Sequence, residues 1–435
     1  MLVVVAPLPF GSVGPAGRLT LELLAFALTA VWIFAATRGT VALPPPSVRV
    51  ALIGLLAITA LQTVPLGAEA VSALSPRAAA LRADLDPIPD PTLSLAPDAT
   101  ASSLRTGAAL VGILFVATSV AAARGAARLA LAALAVAAFQ GLYGLLVLAS
   151  GHDLIWNVQK TAYLDSATGT FVNRNHFAGF LAATLPLGVG LAIVVARRVE
   201  RGAAAKGGLI AALGPDGSKA LLYGLAVLTG AAGLLLSLSR AGTALGLVAI
   251  SGTAGVVLRG RPRHRLAAIA IVAGIAAVPL LDLSADRLLA RYAATGEDRA
   301  GSGGRLDVAR DTLRMIGAFP VAGCGYGAFT WAFPAFSSPQ VRLHYTHAHN
   351  DLLQLCAEGG LPSLALLAIA LVAVAQCGAR ALRAGSDPVV TGAAFGLGAL
   401  LVHGLVDFNF HIPANAAIAA VLAGILFGAS WNDRS

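Results

Sequence analysis

The chain has 435 residues, 57% of them hydrophobic and only 12% charged, with a mean hydropathy of +0.80. That composition excludes an ordinary soluble globular domain and points to a polytopic helical membrane protein. The formal net charge of +9 would suit a nucleic-acid binder, but the basic residues sit between apolar runs, where they act as topology signals.

A spanning helix needs about 20 mostly apolar residues. Residues 1–15 read as a short first span broken by Pro7, Pro9 and Gly11. Met1 to Phe10 has no basic n-region and no small-residue cleavage site, so it is not read as a signal peptide. Further spans follow at about 17–37, 48–66, 104–122, 129–150, 176–196, 219–238, 241–258, 265–282, 361–379, 388–407 and 412–429. The expected fold is an all-α integral membrane protein of about 12 transmembrane helices, with one large extramembrane loop containing short amphipathic helices. It divides into N-terminal helices (1–282), the large loop (283–348) and C-terminal helices (349–435).

The connections at 38–49, 123–128, 197–219, 259–265 and 380–387, together with Arg434, carry more than half of the Lys and Arg. All fall on one side of this span list, while of the acidic residues only Glu200, Asp216, Asp387 and Asp433 do. The positive-inside bias assigns that side, with both termini, to the cytoplasm. The long connections 67–103, 151–175 and 283–348 then face outward. In the first, a short helix is expected near Ala79–Leu85. In the third, Leu306, Ala309, Leu313 and Ile316 recur at helical spacing, as in an amphipathic helix ended by Pro320. Gly323, Gly325 and Gly327 follow and suit a tight turn; no strand precedes them, so they are not a dinucleotide fingerprint. Three cysteines make no disulfide framework, although Cys324 and Cys356 could pair in an oxidising compartment.

Polar clusters gather on the outer side. They are Gly169 to Phe177 with Arg174; the hairpin Ser237 to Gly242 with Arg240; Arg305, Arg310 and Arg314 on the loop helix; and His347 to Glu358, with His349, Asn350 and Asp351. A weaker cluster holds His403, Asp407, Asn409 and His411. Each has a purely structural reading. Arg240 could snorkel to headgroups, and Arg174 could pair with Asp153 or Asp165. Arg310 and Arg314 could form a solvated face with Asp307 and Asp311. His403 and Asp407, one helical turn apart, could satisfy each other.

Taken together, outward arginines with histidines and almost no lysine suit a doubly charged phosphate group. Guanidinium forks bind phosphate oxygens bidentately, and a nearby histidine can take a proton from a hydroxyl. His344, His347, His349 and Asp351 could ligate zinc, but their spacing does not put them on one helical face and the arginines would repel a cation. No metal and no cofactor are expected.

At these residues the chain resembles the O-antigen ligase/polymerase superfamily. The resemblance rests on Thr170 to Gly179 (TFVNRNHFAG), Ser237 to Gly242 (SLSRAG), Arg305 to Phe329 with its P-x-x-G-x-G-x-G-x-F, and His347 to Gly360 (HAHNDLLQLCAEGG), and covers roughly residues 165–415. It implies a bacterial inner-membrane glycosyltransferase with its active site facing the periplasm. Such an enzyme moves a glycan from undecaprenyl pyrophosphate to a glycan, lipid A core or protein acceptor, with inversion and without metal. Arg240 and Arg305 would hold the pyrophosphate, and His349, directly before Asn350, would be the base that activates or positions the acceptor. Arg174 matches an arginine motif of one branch. His347 is an extra histidine that leaves the choice of base open, and Arg310 and Arg314 compete with Arg305 for the phosphate. Asp351 and Glu358 would orient the site rather than react. The different-class alternative is a transporter or exporter of polysaccharide or lipid-linked glycan, which would carry polar residues at the bilayer midplane and paired inverted repeats. A third is a non-catalytic envelope scaffold, which would tolerate loss of His349 or Arg240.

Overall fold

The computed structural model describes residues 2–83, 91–206, 214–259, 304–341, 343–383 and 387–432. The expected span 265–282, the basic connection 260–265, the first part of the large loop, Leu85 and Arg434 lie outside the described residues. In chain order the helices are α1 (Leu2–Val5), α2 (Pro15–Ala36), α3 (Pro46–Thr63), α4 (Ala68–Leu74), α5 (Pro76–Arg82), α6 (Pro97–Arg124), α7 (Ala127–Ser150), α8 (Arg174–Lys206), α9 (Pro215–Leu236) and α10 (Arg240–Val257). Then come α11 (Arg305–Ala318), α12 (Phe329–Ala332), α13 (Asp351–Ala381), α14 (Pro388–His403) and α15 (Pro413–Asn432). A two-residue hairpin, β1 (Leu154–Ile155) with β2 (Val158–Gln159), is the sheet seen among the described residues.

By length and composition, nine of the described helices can cross a membrane: α2, α3, α6, α7, α8 to Gly202, α9, α10, α13 and α15. Helix α14 is apolar but shorter, at 16 residues. Among the described residues, 2–15 form no span. Leu2–Val5 makes one turn, and the chain then folds back through a 3-10 turn at Phe10–Ser12. Three backbone carbonyls or side chains pin it there: Thr170 Oγ1 donates to Pro7 O (2.7 Å), Trp156 Nε1 donates to Leu8 O (3.0 Å) and Ser12 Oγ donates to Ala6 O (2.7 Å). Pro7 and Pro9 remove the donors a continuous helix would need.

Helices α8 and α15 form the centre, with about four-fifths of their apolar windows buried. Lipid tails give helices no hydrophobic reason to associate, so close packing must hold them. Gly392 and Gly396 supply it: a Cβ on Gly396 would lie 2.2 Å from Ala183 O, so α14 meets α8 backbone to backbone. The helix starts are capped locally. Asn173 accepts from Asn175 N (2.8 Å), Ser239 from Gly242 N (3.4 Å), Asn350 from Leu353 N (3.0 Å) and Asp387 from Val389 N (2.7 Å).

Helix α13 is broken at Gly360, whose φ is 70°. The loop 319–327 fills the break. Leu361 N donates to Pro320 O (2.8 Å), Cys324 N to Ala357 O (2.9 Å) and Gly325 N to Glu358 O (3.0 Å). Gln62 Nε2 adds bonds to Ala322 O (2.7 Å) and Glu358 O (2.8 Å). Non-helical backbone at such a position is tolerated because protein satisfies it. Gly323, Gly325 and Gly327 all have positive φ, as a tight turn requires.

The loop helix α11 forms at Arg305–Ala318. Val308, Asp311, Thr312 and Met315 are buried, while Leu306 is 79% and Leu313 57% exposed. Asp311 can point inward because Ser338 N donates to its carboxylate (2.7 Å) and Arg314 pairs with it. Cys324 and Cys356 are not paired; both, with Cys377, are buried free thiols.

Candidate functional site

Helix α14 stops at His403, and the turn 404–406 carries the chain to Asp407. This carboxylate is 1% exposed and is the meeting point of three distant segments. Asn175 Nδ2 donates to it (2.9 Å), as does Phe408 N (2.9 Å). His176 Nε2 lies 3.6 Å away, His349 Nδ1 3.5 Å and the Arg305 guanidinium 3.5 Å. Burial by itself would raise this carboxyl. The imidazoles of His176 and His349, and then Arg305, outweigh burial and hold it well below the usual carboxylate range. Asp407 is therefore a fixed negative charge that holds a histidine and an arginine at one spot.

His349 precedes the cap residue Asn350 and has a φ of 51°, a left-handed conformation that costs about 1–3 kcal/mol. Its neighbours hold it there. Asn350 Nδ2 donates to Leu405 O (2.8 Å), and Asp351 N donates to Gly404 O (2.7 Å). The start of α13 is thus stitched to the 404–407 turn, which aims the imidazole at Asp407. An imidazole that directs Nδ1–H to a carboxylate presents its lone pair at Nε2, the form a general base needs.

His347 has different surroundings. Its ring stacks on Phe408 at 4.2 Å and 17°, and Gln354 Nε2 lies 3.0 Å from its Nδ1. Burial, then the nearby His411, push it down to about 3. An imidazole of that basicity is a poor proton acceptor at neutral pH.

A second network lies beside the first. His411 Nδ1 is 2.8 Å from Asp351 Oδ1, and its Nε2 is 3.9 Å from Glu358. Burial would lower this imidazole, but the hydrogen bond to Asp351 and the contact with Glu358 push it up to about 10. Glu358 also accepts from Gln354 Nε2 (3.1 Å) and Phe329 N (3.3 Å). Asp351 and Glu358 are occupied in holding the 409–411 turn against α13.

The arginines separate by position. Arg305, Arg240 and Arg174 are each the first residue of a helix. Arg305 NH1 donates to Val406 O (2.8 Å), and its side chain remains half exposed. Arg240 begins α10 beside α8: a Cβ on Gly242 would lie 2.5 Å from Ala178 Cβ, next to His176. Arg174 lies over the Tyr163 ring at 5.4 Å, and Asp153 takes Lys160 instead (3.1 Å). The starts of α8, α10, α11 and α13 thus share one end of the bundle, where positive helix ends and guanidinium groups favour an anion.

Arg310 and Arg314 are not at this cluster. Arg310 is an exposed partner of Asp307 (3.7 Å), and Arg314 pairs with Asp311 and donates to Phe336 O (3.1 Å). Arg305 sits a turn or more away on the same helix, at Asp407. His344 is also elsewhere, against Thr330 Oγ1 (3.1 Å). Among the described residues no three His, Cys, Asp or Glu converge as metal ligands.

Asp407 was legible only as a member of the weak cluster, paired with His403. That pairing requires the helix to continue, and it ends at His403. Freed from α14, Asp407 turns toward α8, α11 and α13.

Residues 225–368 match the family model described as O-antigen ligase. The matched stretch contains Arg240, Arg305, Arg310, Arg314, His347, His349 and Asn350, but neither Arg174 nor Asp407. No curated protein matches the chain. The family match supports glycan transfer of the O-antigen ligase/polymerase type by a multi-pass membrane protein.

Proposed function

We propose, on the premise that the match at residues 225–368 places this chain in the O-antigen ligase/polymerase superfamily, that it is an inverting glycosyltransferase using an undecaprenyl-pyrophosphate-linked donor. The observation that carries this reading is the buried Asp407, which brings His349 and Arg305 each within 3.5 Å of one carboxylate. In the reaction, an acceptor hydroxyl gives its proton to His349 Nε2. Its oxygen attacks the anomeric carbon from the face opposite the donor pyrophosphate. The carbon–oxygen bond to phosphate breaks, and undecaprenyl pyrophosphate leaves with the bonding pair.

Arg305 and Arg240 would take up the charge that develops on that leaving group, the work a metal does in other transferases. Asp407 keeps the His349 ring oriented and stabilises the imidazolium as it forms. Holding donor and acceptor together supplies much of the rate. Arg174 would guide the anion at the rim. On the family reading and the positive-inside bias, this end of the bundle would face the periplasm from a bacterial inner membrane.

Deletion of the gene, followed by analysis of lipid-linked glycans and surface polysaccharide, tests this reading. Long chains accumulating on undecaprenyl pyrophosphate identify a ligase to lipid A core or protein, and accumulating single repeats identify a polymerase. If neither accumulates, the glycan-transfer reading fails.

A further inference from the structure

Helix α14 packs chiefly on α8 and α10, while α13 leans on α3. Between α13 and α14, floored by Leu426 of α15, lies an apolar groove of about 460 Å³. Leu371, Gly378 and Leu382 form one wall, and Leu397, Gly398 and Leu401 the other. From Leu371 to Leu382 the wall runs about 16 Å at 1.5 Å per residue.

Gly378 and Gly398 leave the groove open. A Cβ on either would meet nothing within 4 Å, whereas Gly392 and Gly396 of the same α14 touch the α8 backbone. The close-packed face of α14 is thus the one toward α8, and the groove lies on another.

The groove ends at Leu401 in the last turn of α14. Beyond it Val402, Leu405 and Val406 are exposed apolar residues, and Val406 O accepts the Arg305 guanidinium. An apolar surface therefore leads from inside the membrane-spanning region to a half-exposed cation at its edge. That order, apolar trough then guanidinium, matches a single chain with an anionic head. A guanidinium fork can grip a phosphate or diphosphate bidentately.

We propose that the α13–α14 groove seats the isoprenoid tail of a lipid diphosphate whose head lies at Arg305. The proposal rests on the glycan-transfer reading for the identity of the head and adds the path of the tail.

The test uses the full chain in nanodiscs of phosphatidylethanolamine and phosphatidylglycerol, with undecaprenyl diphosphate carrying a diazirine midway along its chain. The expected crosslinks fall in 371–382 and 394–401, and unlabelled undecaprenyl diphosphate competes them away. Gly398→Phe lowers the yield about tenfold, a change of about 1.4 kcal/mol. Gly224→Phe, at an equally open glycine of α9, leaves it unchanged. Gly378→Leu, from the facing helix, gives the same loss where Gly398→Phe does not reach the membrane.

Crosslinks elsewhere, or equal competition by phosphatidylglycerol, overturn the proposal, the latter marking an ordinary lipid site. Groove labelling in a chain that transfers no glycan supports the tail site and sinks the glycan-transfer reading. Glycan transfer with wild-type rate in Gly398→Phe sinks the tail site alone.

Discussion

His347 and His349 share the Phe408 ring but present to it differently. His347 lies flat on it at 4.2 Å, and His349 stands edge-on at 4.9 Å with Nδ1 toward Asp407. Two residues of sequence separation thus divide one histidine stacked on the ring from one turned toward a buried carboxylate.

Replacement of His349 should accordingly be far worse than replacement of His347. His349→Ala is expected to lower kcat by about a hundred- to ten-thousandfold while the protein stays in the membrane. His347→Phe, which keeps the stack on Phe408, should retain most activity. In vitro transfer from a lipid-linked donor measures both; the reverse ranking would move the base to His347.

Asp407→Asn keeps the shape of the side chain but removes the charge that faces His176, His349 and Arg305. We expect kcat to fall by about a hundredfold or more, with little change in the acceptor KM. An equal fall for His403→Asn would show that the two residues act as a pair after all.

Among the loop arginines only Arg305 should matter for donor use. Arg305→Lys loses the fork that spans Val406 O and Asp407, so kcat/KM should fall even though the charge remains. Arg310→Ala, at an exposed pair, should be neutral within about 0.5 kcal/mol of stability and unchanged in rate. Arg314→Ala leaves the buried Asp311 with one partner fewer. It should cost about 1–3 kcal/mol in thermal unfolding without a specific rate effect.

Stability should peak near neutral pH and decline on both sides. His347 titrates near 3 when folded against an ordinary 6.5, so the unfolded chain takes the proton first and stability falls as pH drops from 6.5 toward 3. His411 titrates near 10 when folded, so its contribution is complete below 6.5 and is lost as pH rises toward 10. His411→Gln should flatten the alkaline limb of a melting-temperature profile and also soften the acid limb, because His411 helps to hold His347 down. A profile with an unchanged alkaline limb would remove His411 from the account.

Gly360→Ala probes the break in α13. A Cβ there would lie 2.2 Å from Val321 O at a φ of 70°. Strain of about 1–3 kcal/mol, before any clash, should lower the melting temperature. Because Glu358 is two residues away and holds His411, activity should fall with it.

The membrane spans were legible because burial in lipid demands long apolar runs, a local property of sequence. The expected spans at 17–37, 129–150 and 412–429 correspond to α2, α7 and α15 within a few residues. The glycine-rich turn and the Asn350 cap were legible for the same reason: each depends on a few adjacent residues. The failures were not local. Residues 1–15 are apolar enough to suggest a span, but Thr170 and Trp156, from a distant loop, hold their carbonyls in a turn. On α11 the spacing marked the helix and its apolar stripe, but it could not reveal that Ser338 and Arg314 would satisfy a buried Asp311.

The sequence by itself determined a helical membrane protein whose polar side chains gather at helix ends, and it named His349, Arg240 and Arg305. Only the tertiary structure decided which of those groups meet. Ending α14 at His403 frees Asp407, and its carboxylate meets Arg305 rather than Arg310 or Arg314, and His349 rather than His347. Hydrophobic pattern places a helix in the bilayer with little regard to its rotation or its last residue. A site made of side chains from four segments depends on both.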